Sequence, residues 1–146
     1  MDVWSQAKTT LEQGDYTCVL CKGETVATSR ERGIKPILRW LREEPELLRC
    51  AVAADKVIGK AAALLFAQGG VSAVWAGILS DAGLAVLEEQ GIPYSYARKV
   101  AYIANREGNG LCPMEQRVLT IDDPEEAFRI FDELIPQGAA PPTRQT

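Results

Sequence analysis

The chain has 146 residues, of which 47% are hydrophobic and 25% charged, and its formal net charge at pH 7 is −4. This length suits a single hydrophobic core, and the negative charge argues against general nucleic-acid binding, which requires cationic groups that displace counterions from phosphates. The sequence contains no histidine, which excludes every His-dependent catalytic triad and every zinc site that needs imidazole.

The apolar segments are too short to span a membrane. The longest uninterrupted apolar run, residues 61–67, is far below the roughly 20 residues that a spanning helix needs. The first ten residues contain neither a basic start nor an apolar stretch, and the four cysteines lack the spacing of a disulfide framework. The sequence therefore predicts a cytoplasmic protein without membrane contact.

The first half of the chain alternates short apolar segments with turn residues. A helix is predicted over residues 4–11, and "YTCVLCKGETVATS" predicts a hairpin with its turn around Gly23. Apolar spacing in "IKPILRWLREEP" predicts a helix that ends at Pro45. A third strand is predicted in "LLRCAVAA", followed by a buried helix over "DKVIGKAAALLFAQGG" that starts near Asp55.

The second half continues with a fully apolar strand and two more helices. "VSAVWAGIL" is typical of the middle of a parallel sheet, and Ser80 with Asp81 is predicted to cap a helix over "AGLAVLEEQ" that ends at Gly91. "YSYARKVAYIAN" predicts one strand, or two joined by a bend. The last helix, "DDPEEAFRIFDELI", has Pro124 at its first position, and residues 137–146 are predicted to be a disordered tail.

This order of elements predicts an α/β fold, a three-layer α/β/α sandwich with a mixed central sheet, in one domain over residues 1–136. In such a fold the ligand site lies at the carboxyl ends of the central strands, where the following helices begin. The predicted helix starts are residues 55–60 and 79–83.

Charged residues surround the first of these helix starts. Asp55, Lys56 and Lys60 lie where free backbone N–H groups favour anions, and the two lysines, four residues apart, would share a helical face. They are candidate ligand-binding residues, with phosphate or carboxylate as the expected partner of Lys60. Ser80, at the second helix start, is another candidate. The structural alternative is that Asp55 and Ser80 cap helices while the lysines extend into solvent.

The segment "NREGNGLCPME" combines a glycine turn with a helix start. Pro113 suits the first helical turn, which makes Cys112 the N-cap residue and Glu115 the third helical residue. The structural interpretation is a capping box in which Glu115 reaches back to the backbone at the start of its own helix. The functional one makes Cys112 a candidate nucleophile with Glu115 as base or orienting group, while Asn105 and Arg106 supply a polar donor and an anion clamp.

The other cysteines favour a structural role. Cys18 and Cys21 have the spacing of half a zinc knuckle, which also needs two further ligands. Residues three apart in a strand point to opposite faces of the sheet, so these thiols are not expected to converge. With Cys50 and Cys112 each isolated in sequence, buried cysteine is the preferred interpretation.

The stretches "ADKVIGKAAALL", "ILSDAGLAVLEEQGI" and "NREGNGLCPME" together resemble an uncharacterised domain family of bacteria and archaea. That family is classed with the cytidine deaminase superfamily but lacks its zinc site. The resemblance covers about residues 11–135 and implies a cytidine deaminase-like fold.

Zinc deaminases open the first buried helix with His-x-Glu and the second with Pro-Cys-x-x-Cys. The resemblance puts Lys60 and Ala62 at the histidine and glutamate positions, and Ser80 and Gly83 at the cysteine positions. It therefore implies a protein without zinc or another cofactor, for which zinc-dependent deamination is excluded.

Two hypotheses follow, and the sequence does not decide whether the protein is an enzyme. The first is a domain that binds a small anionic or nucleotide-like ligand, with non-zinc chemistry at Cys112 and Glu115. The second is a non-catalytic module for homo-oligomers or protein partners, which exposed Trp4, Trp40 or tyrosines would favour. The candidate pocket residues of the first hypothesis are Asp55, Lys56, Lys60, Ser80, Asn105, Arg106, Cys112 and Glu115.

Overall fold

The computed structural model describes residues 3–137. Within that range the strands are β1 Cys18–Lys22, β2 Thr25–Ser29, β3 Val52–Ile58, β4 Ala73–Ser80 and β5 Tyr94–Val100. The helices are α1 Ser5–Gly14, α2 Lys35–Glu43, α3 Lys60–Gly69, α4 Asp81–Glu89, α5 Pro113–Arg117 and α6 Pro124–Leu134, with a 3₁₀ turn at Pro45–Leu47. None of these helices is long and apolar enough to cross a membrane. Residues 138–146, nearly all of the predicted tail, lie outside the described residues.

The five strands form one mixed sheet in the order β2-β1-β3-β4-β5. β1 is antiparallel to both β2 and β3, whereas β3, β4 and β5 are parallel to one another. The helices α3 and α4 make the crossovers between the parallel strands, as this topology requires. The predicted α/β class with a mixed sheet is confirmed, and the carboxyl ends of β3 and β4 lie at the same edge.

Helices cover both faces of the sheet and enclose two apolar clusters. α1 packs on one face, where Leu11 and Trp75 belong to the smaller cluster. The larger cluster on the other face includes residues of α2, α3, α4 and α6. Cys18 lies in the larger cluster and Cys21 in the smaller one, which confirms that the two thiols point to opposite faces.

The boundary between β3 and α3 differs from the prediction. Asp55, expected at the start of the helix, lies inside β3, which continues to Ile58, and α3 begins only after Gly59. The β-branched pair Val57-Ile58 favours extended backbone, and Ile58 pairs with Leu79 of β4. The expected helix cap at Asp55 is therefore wrong, and the residue belongs to the sheet.

The predicted ends of the later helices are confirmed. Ser80 Oγ accepts a hydrogen bond from the Gly83 N–H at 3.0 Å at the start of α4. Gly91 has a φ angle of 70°, which suits the left-handed residue after a helix end. At the start of α6, Asp123 accepts a hydrogen bond from the Glu126 N–H. These features follow from local chemistry, which explains why the sequence predicts them.

Candidate functional site

A cavity of about 240 Å³ opens where β3 ends and α3 begins, under the chain segment that leads into α5. Its lining is mostly apolar and includes Ile34, Ala61, Ala62, Ile103 and Met114. Residues with polar side chains in the lining are Thr17, Arg32, Asp55, Lys56, Cys112 and Glu115. The cavity lies at the carboxyl edge of the parallel strands, the position at which open α/β sheets bind ligands.

Asp55 is the buried acid of this cavity. It lies opposite Cys18 of the neighbouring strand and is only 5% exposed. Its Oδ1 accepts a hydrogen bond from the Val57 N–H at 3.2 Å, whereas Oδ2 has no hydrogen-bond partner among residues 3–137. Burial raises the pKa of Asp55 to about 8, against the smaller opposing effect of the Val57 N–H. The carboxyl is therefore mainly protonated at neutral pH.

Cys18 lies opposite Asp55 on the adjacent strand β1. Burial and the neighbouring Asp55 raise the pKa of the Cys18 thiol well above its ordinary value, so the thiol keeps its proton. The thiol in turn lowers the pKa of the Asp55 carboxyl, an effect smaller than that of burial. Asp55 thus gains no charged partner from β1.

Glu115 connects α5 to the start of α3. Its Oε1 accepts from the Lys60 N–H and its Oε2 from the Ala61 N–H, each at 2.7 Å, and the residue is only 7% exposed. Gly59 at the N-cap has no side chain to satisfy these N–H groups, so a carboxylate from a distant part of the chain does so. A Cβ at Gly59 would lie 2.4 Å from Glu115 Oε1, which explains why glycine is needed there.

The predicted capping box at α5 is wrong. Cys112 is the N-cap residue of α5, but its side chain makes no capping hydrogen bond. Its backbone N–H donates to Ile103 O at 2.9 Å, and Glu115 turns to α3 instead of back to its own helix. The Glu115 carboxylate binds the two N–H groups of α3 and also interacts there with the positive end of the helix dipole. That helix is twice as long as α5, with 10 residues against 5. Cys112 is half-buried and lines the cavity with Asp55 and Glu115.

The two lysines do not share a face, because Lys56 lies in a strand and Lys60 in a helix. The Lys56 Nζ lies 3.4 Å from Asp15 Oδ1, at the end of α1 on the opposite side of the sheet from Asp55. The Lys60 Nζ donates to Leu119 O at 3.1 Å and lies 3.0 Å from Asp122 Oδ1. The carboxylate partner expected for Lys60 is thus supplied by the chain itself.

The remaining predicted site residues lie outside the cavity lining. Ser80 is buried as the cap of α4. Asn105 donates to Asn109 Oδ1 at 3.0 Å and holds the turn before α5, and Arg106 in the same turn is exposed. From the predicted set, Asp55, Cys112 and Glu115 line the cavity together, whereas Lys56 borders it with its ammonium paired to Asp15 on the other side of the sheet. The cavity lining leaves out Lys60, Ser80, Asn105 and Arg106.

The positions that the deaminase resemblance assigns to zinc do not fit a metal ion. Lys60 is an ammonium paired with Asp122, and Ala62 has no donor atom. Ser80 caps a helix, and the fourth position is a glycine. Among residues 3–137 no three acidic or cysteine side chains converge as metal ligands.

Thr17 and Arg32 also line the cavity, although no motif in the sequence selects them. Thr17 precedes β1 and holds the loop after β2, with its hydroxyl 3.0 Å from Ser29 O and 2.6 Å from Glu31 O. Arg32 is exposed and follows that loop, which places it at the rim. Both reach the cavity because β1 pairs with β3, a contact that no local pattern encodes.

The mixed five-stranded sheet and the cavity of about 240 Å³ at its carboxyl edge define the class, an α/β protein with a pocket at the ends of its parallel strands. Within that class, the chain belongs to the family of a domain of unknown function, DUF1893 (TM1506), whose model matches residues 6–135. This membership confirms the part of the resemblance that concerned an uncharacterised domain family. The crystal structure of a DUF1893 family protein (TM1506) from Thermotoga maritima is similar, with 27% sequence identity and a TM-score of 0.83 over 91% of this chain and 90% of that one. Among curated proteins no relative was found.

Proposed function

We propose that the protein binds a small nucleotide-like molecule in the cavity at the start of α3. The observation that carries the proposal is the mostly apolar cavity at the carboxyl edge of the parallel strands, which is lined by a buried acid, Asp55.

The apolar lining and the charges of the site suggest how such a molecule lies. Ile103 and Met114 offer apolar surface to a flat, base-like group inside the cavity. An anionic group is not favoured at the α3 N-terminus, because Glu115 already accepts its N–H groups. A phosphate or carboxylate of the ligand pairs instead with Arg32, a cationic side chain that is exposed at the rim of the cavity.

The fold supports a cytidine deaminase-like ancestry in which zinc has been lost. The strand order and the helix after β3 agree with the order of elements that the resemblance implies, and Ala62, at the place of the proton-shuttling glutamate, lines the cavity. A narrower form of the proposal is non-zinc chemistry with Cys112 as nucleophile. Both oxygens of Glu115 are held by α3, which makes Glu115 an orienting group and leaves Asp55 to exchange protons.

The proposal is tested by filling the cavity. Nucleosides and nucleotides are screened for an increase in melting temperature, and each positive compound is titrated by calorimetry against Ala62→Leu and Asp55→Ala. Exposed Ala85 on α4 gives a matched control, Ala85→Leu. We expect binding to wild type and to the control, and its loss in Ala62→Leu. Equal binding to all four proteins would show that the ligand lies elsewhere.

Exposed tyrosines on and just after the edge strand β5 favour a second candidate function, a module for self-association. Tyr96 is 40% and Tyr102 52% exposed, and the ring of Tyr96 stacks on Tyr94 with centroids 6.4 Å apart. Buried Trp40 cannot serve as an anchor. Sedimentation analysis of wild type and Tyr96→Ser tests this candidate: a concentration-dependent dimer that weakens in the variant supports it, and a wild-type monomer at high concentration contradicts it.

A further inference from the structure

We infer that Asn109 is a site of covalent self-modification, at which the side-chain amide is lost as ammonia and an aspartate or isoaspartate remains. The attacking group is the main-chain nitrogen of Gly110, and the side-chain amide of Asn105 stabilises the charge that develops on the Asn109 amide oxygen. All three residues lie in the hairpin of residues 103–112, which leads from β5 to α5 beside the cavity. The inference does not depend on the proposed binding function.

The hairpin exposes Asn109 at its turn. The Asn105 N–H donates to Gly110 O at 2.8 Å and the Cys112 N–H donates to Ile103 O at 2.9 Å, so main-chain hydrogen bonds join the two sides of the hairpin. Asn109 lies between these sides, outside every helix and strand of the described chain, and its side chain is exposed. Water and hydroxide from the solvent therefore reach it.

The Gly110 N–H is available as the nucleophile. It donates a hydrogen bond to no other residue of the described range 3–137. Glycine has no Cβ to hinder the approach of its nitrogen to the preceding side chain, and its main chain samples the widest range of φ and ψ angles. Asparagine followed by glycine in an exposed turn is therefore the arrangement in which a succinimide ring closes most readily.

Asn105 binds the reacting amide from the other side of the turn. Its Nδ2 donates to Asn109 Oδ1 at 3.0 Å, and its Oδ1 accepts the Asn109 N–H at 3.2 Å. Attack on the Cγ of Asn109 moves negative charge onto Oδ1, and the Nδ2 donor of Asn105 stabilises that charge. The contact thus favours the tetrahedral intermediate over the resting amide.

The reaction balances without an oxidant, a reductant or a cofactor. Hydroxide from the solvent removes the Gly110 N–H proton, the nitrogen forms a bond to the Cγ of Asn109, and the bond between Cγ and Nδ2 of Asn109 breaks. The leaving nitrogen takes up a proton from water and departs as ammonia. Water then opens the ring at either carbonyl. Cleavage of the new bond to Cγ gives aspartate, and cleavage of the original peptide bond gives isoaspartate.

The product changes the hairpin beside the cavity. Both products add a negative charge at Asn109, and isoaspartate also adds a carbon atom to the main chain within the turn that the Asn105–Gly110 hydrogen bond closes. Ile103 and Cys112, the next hydrogen-bonded pair, line the cavity. The modification site therefore borders the wall that this hairpin contributes to the cavity.

Tryptic mass spectrometry of the folded protein tests the inference. Cleavage after basic residues separates the two asparagines of the chain, because Asn105 lies in the peptide 100–106 and Asn109 in the peptide 107–117. The protein is incubated at mildly alkaline pH and sampled over time, and the mass of each peptide gives its rate of amide loss. Electron-transfer fragmentation distinguishes isoaspartate from aspartate.

We expect amide loss at Asn109 and not at Asn105, which is followed by the bulkier Arg106, with both aspartate and isoaspartate as products. Gly110→Ala should lose the modification, because its Cβ hinders ring closure, although in the fold it meets only Asn105 Nδ2, at 3.4 Å. Asn105→Ala should react about three- to tenfold more slowly, the effect of one hydrogen bond. Glu107→Gln, a change of an exposed side chain in the same turn, should react at the wild-type rate.

Absence of amide loss at Asn109, or an equal rate at Asn105, would overturn the inference. Aspartate as the sole product would indicate direct hydrolysis of the amide and would overturn it as well. If Asn105→Ala reacts as fast as wild type or faster, Asn105 only holds the hairpin rigid and its role as a donor is wrong. In urea, where the hydrogen bond is lost, wild type and Asn105→Ala should react at the same rate, and a difference that persists there would also contradict that role.

Discussion

Asp55 gives the folded protein an unusual dependence of stability on pH. Its pKa is about 8 in the fold, against an ordinary value of 3.8 in the unfolded chain. Between these values the folded state holds a proton that the unfolded state has released, so the free energy of unfolding falls as pH rises. The contribution of Asp55 is fully favourable below about pH 4 and is lost as pH rises through about 8.

The size of the effect follows from the difference in bound protons. One proton corresponds to about 1.4 kcal/mol per pH unit. Between about pH 5 and about pH 7.5 the wild type should therefore lose about 3 kcal/mol of stability through Asp55 alone. Asp55→Asn replaces the acid by an amide of similar shape that does not titrate, and this loss should disappear.

Urea unfolding at the two pH values, followed by circular dichroism, measures the difference. Glu12→Gln removes an exposed carboxyl on α1 and serves as the control, which should keep the pH dependence of the wild type. The Cys18 thiol stays protonated over this range, so it adds no slope of its own. We expect Asp55→Asn to be the more stable protein at the higher pH.

Parallel pH dependences for wild type and Asp55→Asn would refute the reasoning. They would mean that the carboxyl is ionised in the fold, through water or a cation that reaches Oδ2.

Three further predictions concern the polar contacts around α3 and α4. Glu115→Gln keeps one acceptor for the two N–H groups of α3 and should cost about 1–3 kcal/mol in urea unfolding; no loss would show that water replaces the carboxylate. Gly59→Ala should cost about 1–3 kcal/mol because its Cβ meets Glu115 Oε1, whereas Gly110→Ala, with its nearest contact at 3.4 Å, should be nearly neutral; equal losses would contradict the steric argument. Ser80→Ala should lower the stability by about 1 kcal/mol through its helix cap, and an unchanged melting temperature would contradict that role.

Local rules predicted the elements that depend on local chemistry. The hairpin around Gly23, the cap at Ser80 and the helix end at Gly91 are set by residues within a few positions of each other. The start of α3 was misplaced because Asp55 is a common N-cap residue and the following apolar residues suit either a helix or a buried strand. Pairing with β4 decides in favour of the strand, and that contact is not local.

The site depends on contacts between distant parts of the chain. Glu115 has the spacing of a local capping box, but its partners are the N–H groups of Lys60 and Ala61. Lys60 is predicted to bind a phosphate or carboxylate of a ligand, yet its ammonium pairs with Asp122 from the segment after α5. In both cases the sequence pattern indicates which side chain makes a polar contact but not its partner. The partners are brought together only when residues 103–122 fold back over α3, which is a tertiary contact.

The link between Glu115 and α3 also limits what the cavity can accept. The Glu115 carboxylate accepts two short hydrogen bonds from the N-terminus of α3 and so holds the α5 segment there. Ile103 and Met114 of that segment line the cavity. A ligand too large for about 240 Å³ would have to displace Glu115 and lose about 1.5–3 kcal/mol for each of these hydrogen bonds. A compact molecule avoids that loss, so the hydrogen bonds between Glu115 and α3 limit the size of the ligand that the cavity accepts.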